Sequence, residues 1–169
     1  MNQDLMEILF TEEQIAKKVE ELATEITEFY QSQGVEEIVA IGILRGSFVF
    51  MADLVRKIHL KQVIDFMAIS SYGSGTVSSG TVRILKDVAE NIAGKHVLLI
   101  EDIIDTGITL GSLREILWSK NPKSLHLCTF LNKPARLFCA LPWRPKGIDC
   151  PYTVRSRWCF LMARSVWRA

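Results

Sequence analysis

The feature that most constrains the fold is a short, uninterrupted apolar run that ends in two acids. Val97 to Ile100 is entirely apolar, Glu101 and Asp102 follow it, and a loop at 105–107 leads into a helical pattern at 109–119. An apolar run of this length is typical of a strand that is buried on both faces. Because such a strand needs cover on both sides, we expect an α/β fold with a mostly parallel sheet flanked by helices.

The rest of the chain repeats this alternation of helices and strands. Thr11 and Gln14 form a capping-box pattern at the start of a predicted helix, and Gly34 supplies its stop. Ser47 is expected to cap the next helix. The predicted helices are 12–32, the one after Ser47 that runs to about residue 58, and 109–119, and the predicted strands are 37–44, 63–71, 81–86, 96–103 and 124–131. The segment 72–80 is small, polar and glycine-rich, which is typical of a long mobile loop.

Composition narrows the class of protein further. The 169 residues are 49% hydrophobic with a formal net charge of +1, which suits one globular domain and gives no sign of nucleic-acid or membrane partners. No apolar stretch approaches the length of a membrane span, and the first residues lack a secretory signal, so a cytoplasmic protein is expected. The four cysteines lack the spacing of a zinc site, and the three histidines are expected to be structural or exposed.

The turn after the acidic strand carries the chemistry that the sequence predicts. In open α/β sheets, ligands bind where the carboxyl end of a strand meets a loop and a helix N-terminus. Residues 105–109 can present backbone N–H groups and hydroxyls to a phosphate, and Gly107 permits close approach of the backbone. Ionised Glu101 and Asp102 accept hydrogen bonds only, which suits sugar hydroxyls and magnesium.

The segment from Val97 to Leu110 resembles the ribose-phosphate-binding signature of type I phosphoribosyltransferases, in the form found in bacterial hypoxanthine phosphoribosyltransferases. Further segments agree with this family in order and spacing: 44–48, 63–67, 70–75, 82–87 and 122–125. The resemblance covers about residues 5–137. It implies the type I phosphoribosyltransferase fold and a purine salvage reaction. In that reaction hypoxanthine or guanine and 5-phosphoribosyl-1-pyrophosphate (PRPP) give the nucleotide and pyrophosphate.

The resemblance also implies a role for each matching residue. Asp105 would be the catalytic acid or base near the purine N7. Glu101 and Asp102 would hold the ribose hydroxyls and help to place magnesium, the implied cofactor. The implied contacts to PRPP come from Glu101, Asp102, Ile103, Ile104, Asp105, Thr106, Gly107, Ile108 and Thr109.

Three further parts of the site are implied in the same way. The pyrophosphate-binding residues would be Leu44, Arg45 and Gly46, and the first peptide bond of this loop is often cis in the family. Lys133 would contact the 6-oxo group of the purine, while Ser71, Tyr72 and the glycine-rich loop would close over the site. Family members are commonly dimers or tetramers, so self-association is implied as well.

The resemblance stops after Leu137, where the composition changes. Residues 138–169 carry a net charge of +5 and hold three of the four Trp and three of the four Cys residues. The family's purine-stacking aromatic and magnesium-supporting acid are not recognisable there. The sequence thus predicts a phosphoribosyltransferase core at 1–137 and an atypical basic tail at 138–169. Three explanations stay open for the tail. It is a disruption of the reading frame (favoured by the joint rise of Trp, Cys, Arg and Pro), a divergent base-recognition segment, or a disordered or partner-binding segment.

The altered tail keeps other functions open beside purine salvage. A defective or regulatory relative would bind PRPP without catalysis. A phosphoribosyltransferase for another base would use xanthine or a pyrimidine. A third alternative is a tail that binds single-stranded nucleic acid through its interleaved Trp and Arg residues.

Overall fold

Eight helices and strands make up the described residues of this computed structural model, which are 10–71, 82–104 and 108–132. In chain order they are α1 (Glu12–Gln31), β1 (Glu37–Leu44), α2 (Phe48–Val55), β2 (Lys61–Ser71), β3 (Val82–Lys86), β4 (His96–Ile104), α3 (Ile108–Trp118) and β5 (Ser124–Asn132). The predicted elements are all present in the predicted order. The largest difference is in α2, which ends at Val55 rather than near Ile58. Within the described ranges, no helix is both long enough and apolar enough to cross a membrane.

The start and end of α1 follow directly from its sequence. The Thr11 hydroxyl accepts a hydrogen bond from the Gln14 N–H at 3.3 Å, and the Gln14 side chain accepts one from the Thr11 N–H at 2.9 Å. The predicted capping box is therefore confirmed. Gly34 lies just beyond the helix with a φ of 69°, a left-handed conformation that glycine adopts readily. The chain can then turn from α1 into β1.

The five strands form one sheet in the order β3-β2-β1-β4-β5. β1 lies parallel to both β2 and β4, and β4 lies parallel to β5. β3 runs antiparallel to β2 at the edge of the sheet. The expected mostly parallel sheet is therefore confirmed for the part of the chain that the structure describes.

Helices cover the two faces of the sheet over separate apolar cores. Alternate residues of a strand point to opposite faces, so β1 and β4 each contribute to both cores. α1 and α2 cover one face, over Ile38, Ala40, Leu98 and Ile100. α3 covers the other face, over Val39, Ile41, Val97 and Leu99. Burial on both faces explains why these strands are apolar without alternation.

A buried carboxylate ties β2 to the chain that follows β3. Asp65 accepts hydrogen bonds from the N–H groups of Ala89 at 2.6 Å and Glu90 at 3.0 Å, and from the Lys86 ammonium at 3.1 Å. Burial on its own raises the pKa of Asp65, but these bonds and one from the Phe66 N–H outweigh it and hold the pKa below its usual range. The segment after β3 is thereby fixed against the sheet.

Ser47 lies at the N-cap position of α2, as predicted, but its side chain does not cap the helix. Ser47 precedes α2, but its backbone already has helical angles, φ −66° and ψ −11°, and its side chain makes no capping hydrogen bond. A capping residue usually has an extended backbone, from which its side-chain oxygen reaches the N–H groups of the first turn. The Ser47 hydroxyl instead donates to the Ile43 carbonyl oxygen at 2.7 Å.

Candidate functional site

The order in which strands are added to the sheet switches sides between β1 and β4, and open α/β sheets form a crevice at such a switch point. β1 pairs with β2 as far as Leu44 and Ala68, whereas its pairing with β4 ends at Gly42 and Ile100. α2 follows β1 on one face, and α3 follows β4 on the other. In open α/β sheets, ligands bind at such a switch point, beyond the carboxyl ends of the strands.

The loop after β1 borders this crevice. Its Leu44–Arg45 peptide bond is cis, as the family resemblance implied. Leu44 is half-buried at the end of the strand, whereas Arg45 and Gly46 are exposed. An arginine charge beside exposed backbone suits an anionic ligand.

Gly46 lies against the carboxylate of Asp102, which belongs to β4. A Cβ atom at position 46 would stand 2.7 Å from Asp102 Oδ2 and 3.0 Å from Oδ1 and Cγ. Glycine, which has no Cβ atom, therefore allows the loop and the carboxylate to approach this closely. Asp102 Oδ1 also accepts a hydrogen bond from the Ile103 N–H at 2.8 Å. The loop after β1 and the acids of β4 thus form one continuous site.

Glu101 carries a carboxyl group with one oxygen that no donor of the described residues satisfies. Its Oε2 atom is buried and has no hydrogen-bond partner among the described residues. Burial, with a smaller contribution from the charge of Asp102, raises the pKa of Glu101 to about 8. A buried acceptor without a donor is destabilising, so this atom suits a hydroxyl or a cation that a ligand brings.

The donor set at the end of β4 fits magnesium. Magnesium prefers oxygen ligands, and one or two carboxylates commonly hold it together with water and substrate phosphates. Glu101 and Asp102 supply carboxyl oxygens, and Glu101 Oε2 is an acceptor without a donor in the part of the chain that the structure describes. Across 10–71, 82–104 and 108–132, no group of three or more His, Cys, Asp or Glu side chains could hold a metal ion. Magnesium held here would therefore share oxygens of the ligand.

The structure describes some of the remaining predicted site residues and not others. Ile103 is partly exposed and Ile104 is buried at the end of β4. Ile108 and Thr109 begin α3, and Ser71 is the last residue of β2. The predicted site residues outside the described ranges are Tyr72, Asp105, Thr106, Gly107 and Lys133. The predicted tail, 138–169, also lies outside them.

Sequence reasoning missed two features of this site. It did not pair Gly46 with Asp102, because the two residues belong to separate motifs and local patterns do not relate them. It also gave the Ser47 hydroxyl a capping role, whereas this hydroxyl donates to the Ile43 carbonyl oxygen. The available signal for the first feature was a glycine close after a buried strand, which marks a place where another group can approach the backbone.

Comparisons with known proteins agree with this geometry. Residues 6–140 match the model of the phosphoribosyl transferase domain family. The chain is 45% identical over 151 residues to the hypoxanthine phosphoribosyltransferase of Haemophilus influenzae, covering 89% of this chain and 84% of the relative.

Two solved structures are similar as well. One is a hypoxanthine-guanine phosphoribosyltransferase from Bacillus anthracis with a HEPES molecule in its active site. It has a TM-score of 0.75 and 41% identity, over 90% of this chain and 95% of that chain. The other is a Trypanosoma cruzi hypoxanthine phosphoribosyl transferase, studied for the role of its C-terminal region in oligomeric state and enzymatic activity. It has a TM-score of 0.75 and 38% identity, over 82% of this chain and 75% of that chain.

The fold places a candidate ligand site at a switch point of the sheet, where two acidic side chains meet a glycine-containing loop. From the family match and the identity to these relatives, the chain belongs to the type I phosphoribosyltransferases and, among them, to the hypoxanthine phosphoribosyltransferase family. The resemblance inferred from the sequence motifs is thereby confirmed.

Proposed function

We propose that the protein transfers the 5-phosphoribosyl group of PRPP to hypoxanthine or guanine, giving IMP or GMP and pyrophosphate. The observation that carries this proposal is the close contact of Gly46 with the Asp102 carboxylate. This contact joins the predicted pyrophosphate loop to the predicted ribose-binding acids. The relatives named hypoxanthine and hypoxanthine-guanine phosphoribosyltransferases support the same reaction.

The described residues suit the pyrophosphate and the ribose of PRPP. The bond between the anomeric carbon and pyrophosphate breaks as a purine nitrogen bonds to that carbon, so negative charge builds on the departing pyrophosphate. Arg45, exposed beside the crevice, would stabilise that charge together with backbone N–H groups of the loop. Glu101 and Asp102 would hold the ribose by accepting hydrogen bonds from its hydroxyls.

Asp105 is the proposed acid or base. The reacting purine loses a proton during the transfer, and a carboxylate close to N7 can accept or share a proton. Residues 105–109 would bind the 5-phosphate through N–H groups at the start of α3. Lys133 would contact the 6-oxo group of the purine. Ser71 and Tyr72, with the glycine-rich segment 72–80, would close over the site and exclude the water that hydrolyses PRPP.

Magnesium is the proposed cofactor, and Glu101 and Asp102 are the residues that would hold it. When bound, it supplies charge neutralisation for the pyrophosphate group. The orphaned Oε2 of Glu101 supports this assignment, because that oxygen has no donor among the described residues. Calorimetric titration with magnesium pyrophosphate tests it, with Glu101→Gln expected to bind more weakly.

The proposal extends to the compartment and the assembly of the protein. We expect a cytoplasmic protein that self-associates as a dimer or tetramer, with its catalytic core at 1–137 and a separate basic segment at 138–169. The Trypanosoma cruzi relative, studied for the effect of its C-terminal region on oligomeric state, supports a measurement on this segment. Light scattering of the full chain measures the assembly, and a monomer would contradict the expectation.

The reaction is tested by measuring pyrophosphate release from PRPP and magnesium with hypoxanthine, guanine, xanthine and uracil in parallel. Release with hypoxanthine or guanine supports the proposal. Release with xanthine or uracil alone would reassign the base. Binding of PRPP without turnover on any base would instead make the chain a PRPP-binding protein, as the altered tail allows.

The role of Asp105 is tested by a matched pair of variants. Asp105→Asn should lower turnover by about 10²–10⁴-fold, because it removes the group that exchanges a proton with the purine. Asp53→Asn is the control, since Asp53 lies on α2 and forms an exposed ion pair with Arg56 just beyond that helix. Equal rates in the two variants would exclude Asp105 from the mechanism.

A further inference from the structure

A serine with a buried side chain directly follows the proposed pyrophosphate loop. Ser47 is fully buried, at 0% exposure, although Arg45 and Gly46 directly before it are exposed. Its hydroxyl donates to the Ile43 carbonyl oxygen at 2.7 Å, and its N–H donates to the same oxygen at 3.4 Å. One oxygen at the end of β1 therefore holds both the backbone and the side chain of the residue that follows the loop.

These two bonds join the two ends of the loop. Ile43 is buried in β1 and Ser47 opens α2, so Leu44, Arg45 and Gly46 span the gap between two fixed points. The far side of Ser47 is fixed as well, because its carbonyl oxygen accepts a hydrogen bond from the Met51 N–H at 2.8 Å. The loop itself is held by the Phe48 N–H, which donates to the Arg45 carbonyl oxygen at 3.3 Å.

The position of the loop determines how closely Gly46 approaches the acidic side chains of β4. Gly46 adjoins Ser47, and its backbone lies where an added Cβ atom would be 2.7 Å from Asp102 Oδ2. A small displacement of the loop would therefore change its contact with that carboxylate. The Ser47 hydroxyl makes no capping bond to α2, so its observed hydrogen bond serves the loop rather than the helix.

We propose that Ser47 is a positioning residue, whose hydroxyl holds the Leu44–Gly46 loop in the geometry that binds pyrophosphate. The inference rests on the proposed function, because it takes that loop as the pyrophosphate site. Ser47 does not touch the ligand in this role. It keeps the loop's backbone N–H groups and Gly46 in place before the ligand arrives, which lowers the ordering cost of binding.

The test compares Ser47→Ala with the full-length parent protein and with Ser119→Ala. Ser119 is the control, because its hydroxyl also donates to a backbone carbonyl oxygen, that of Ile116, at 2.7 Å, but at an exposed position just beyond the end of α3. Isothermal titration calorimetry with magnesium pyrophosphate measures the loop directly. Ser47→Ala should raise the Kd about tenfold, whereas Ser119→Ala should leave it unchanged.

Steady-state kinetics separates positioning from a general loss of structure. In Ser47→Ala the KM for PRPP should rise, while the KM for hypoxanthine stays constant and the protein stays cooperatively folded. A purely structural role would instead lower the active fraction and leave both KM values unchanged. Ser47→Thr keeps the hydroxyl and should restore pyrophosphate binding.

Several outcomes would overturn the inference. They are an unchanged pyrophosphate Kd in Ser47→Ala, an equal loss in Ser119→Ala, and a Ser47→Ala protein that does not fold. If the parent protein catalyses transfer and Ser47→Ala matches it, the positioning role fails while the proposed function stands. If the parent protein neither turns over nor binds pyrophosphate, the proposed function fails and this role fails with it.

Discussion

Acidification should destabilise the protein through His126, whose ring is enclosed between β5, β4 and the C-terminal part of α1. Its Nδ1 shares a hydrogen bond of 3.0 Å with the Tyr30 hydroxyl, and the Phe29 ring meets it edge-on with centroids 4.9 Å apart. Ser124 Oγ lies 3.5 Å from the same nitrogen. Burial, with a smaller contribution from His96, lowers the pKa of His126 to about 4.

The magnitude follows from the difference between the folded and unfolded states. An unfolded histidine titrates near pH 6.5, so from about pH 6.5 to 4 the unfolded state binds more protons, and stability falls as the pH falls. At 1.36 kcal/mol per pKa unit, the whole shift of His126 corresponds to about 3 kcal/mol, an upper value for a ring that is only partly buried. Roughly 2 kcal/mol of this would be lost between pH 7 and pH 5.

Urea unfolding followed by circular dichroism at pH 7 and pH 5 measures this loss. His126→Asn keeps an acceptor near the position of Nδ1 but does not titrate, so its drop in unfolding free energy should be smaller by roughly 2 kcal/mol. Any constant effect of the substitution cancels, because only the difference between the two pH values is compared. His59→Asn removes an exposed histidine and should retain the full drop. The same drop in His126→Asn as in the parent protein would refute the reasoning.

Two further predictions concern the crevice. Gly46→Ala should raise the KM for PRPP roughly tenfold to a hundredfold, because the new Cβ atom displaces the Asp102 carboxylate. Gly111→Ala is its control, since a Cβ atom there would have nothing within 4 Å beyond its chain neighbours and its own helix backbone. It should keep full activity, and an equal loss in both variants would contradict the argument. The raised pKa of Glu101 makes the parent protein lose stability as the pH rises from about 4.5 to 8. Glu101→Gln removes this loss, so it should raise the unfolding free energy by up to about 3 kcal/mol at pH 7. The same variant should bind PRPP more weakly, and an unchanged urea midpoint would argue against an unsatisfied carboxylate.

The fold was predictable from the sequence wherever local patterns carry the information. The capping box of Thr11 and Gln14 marks the start of α1, and the uninterrupted apolar strands indicate a sheet covered on both faces. The end of β4 and the start of α3 were predictable for the same reason, because an apolar run and a helical pattern flank the loop at 105–107. These features depend on neighbours in the chain, and periodicity reports such neighbours.

Features that depend on distant residues were not predictable in this way. The contact of Gly46 with Asp102 needs the sheet order that places β1 beside β4. The Ser47 side chain turns inward because its backbone has helical angles. The sequence does not reveal those angles, because serine is also suited to capping. The enclosure of His126 by Tyr30 needs α1 to pack across β4 and β5. Each depends on tertiary packing, which overrides local preference.

Two acids of the same sheet show how the structure separates stability from function. Asp65 and Glu101 are both withdrawn from water, and burial alone would raise the pKa of each. The chain after β3 surrounds Asp65 with N–H donors and Lys86, so its pKa falls and its charge is stabilised within the fold. Glu101 has no such donor for Oε2 among the described residues, and the charge of Asp102 beside it raises its pKa further.

A fold selected for stability alone would give Glu101 a donor or replace it with an apolar residue. Its position at the crevice, next to the carboxylate that Gly46 contacts, favours a different explanation. The unsatisfied oxygen leaves a place for the hydroxyls or the cation of a ligand, so binding would supply an interaction that the described residues do not provide. A substitution of Glu101 that raises the stability of the protein should therefore also weaken its binding of PRPP.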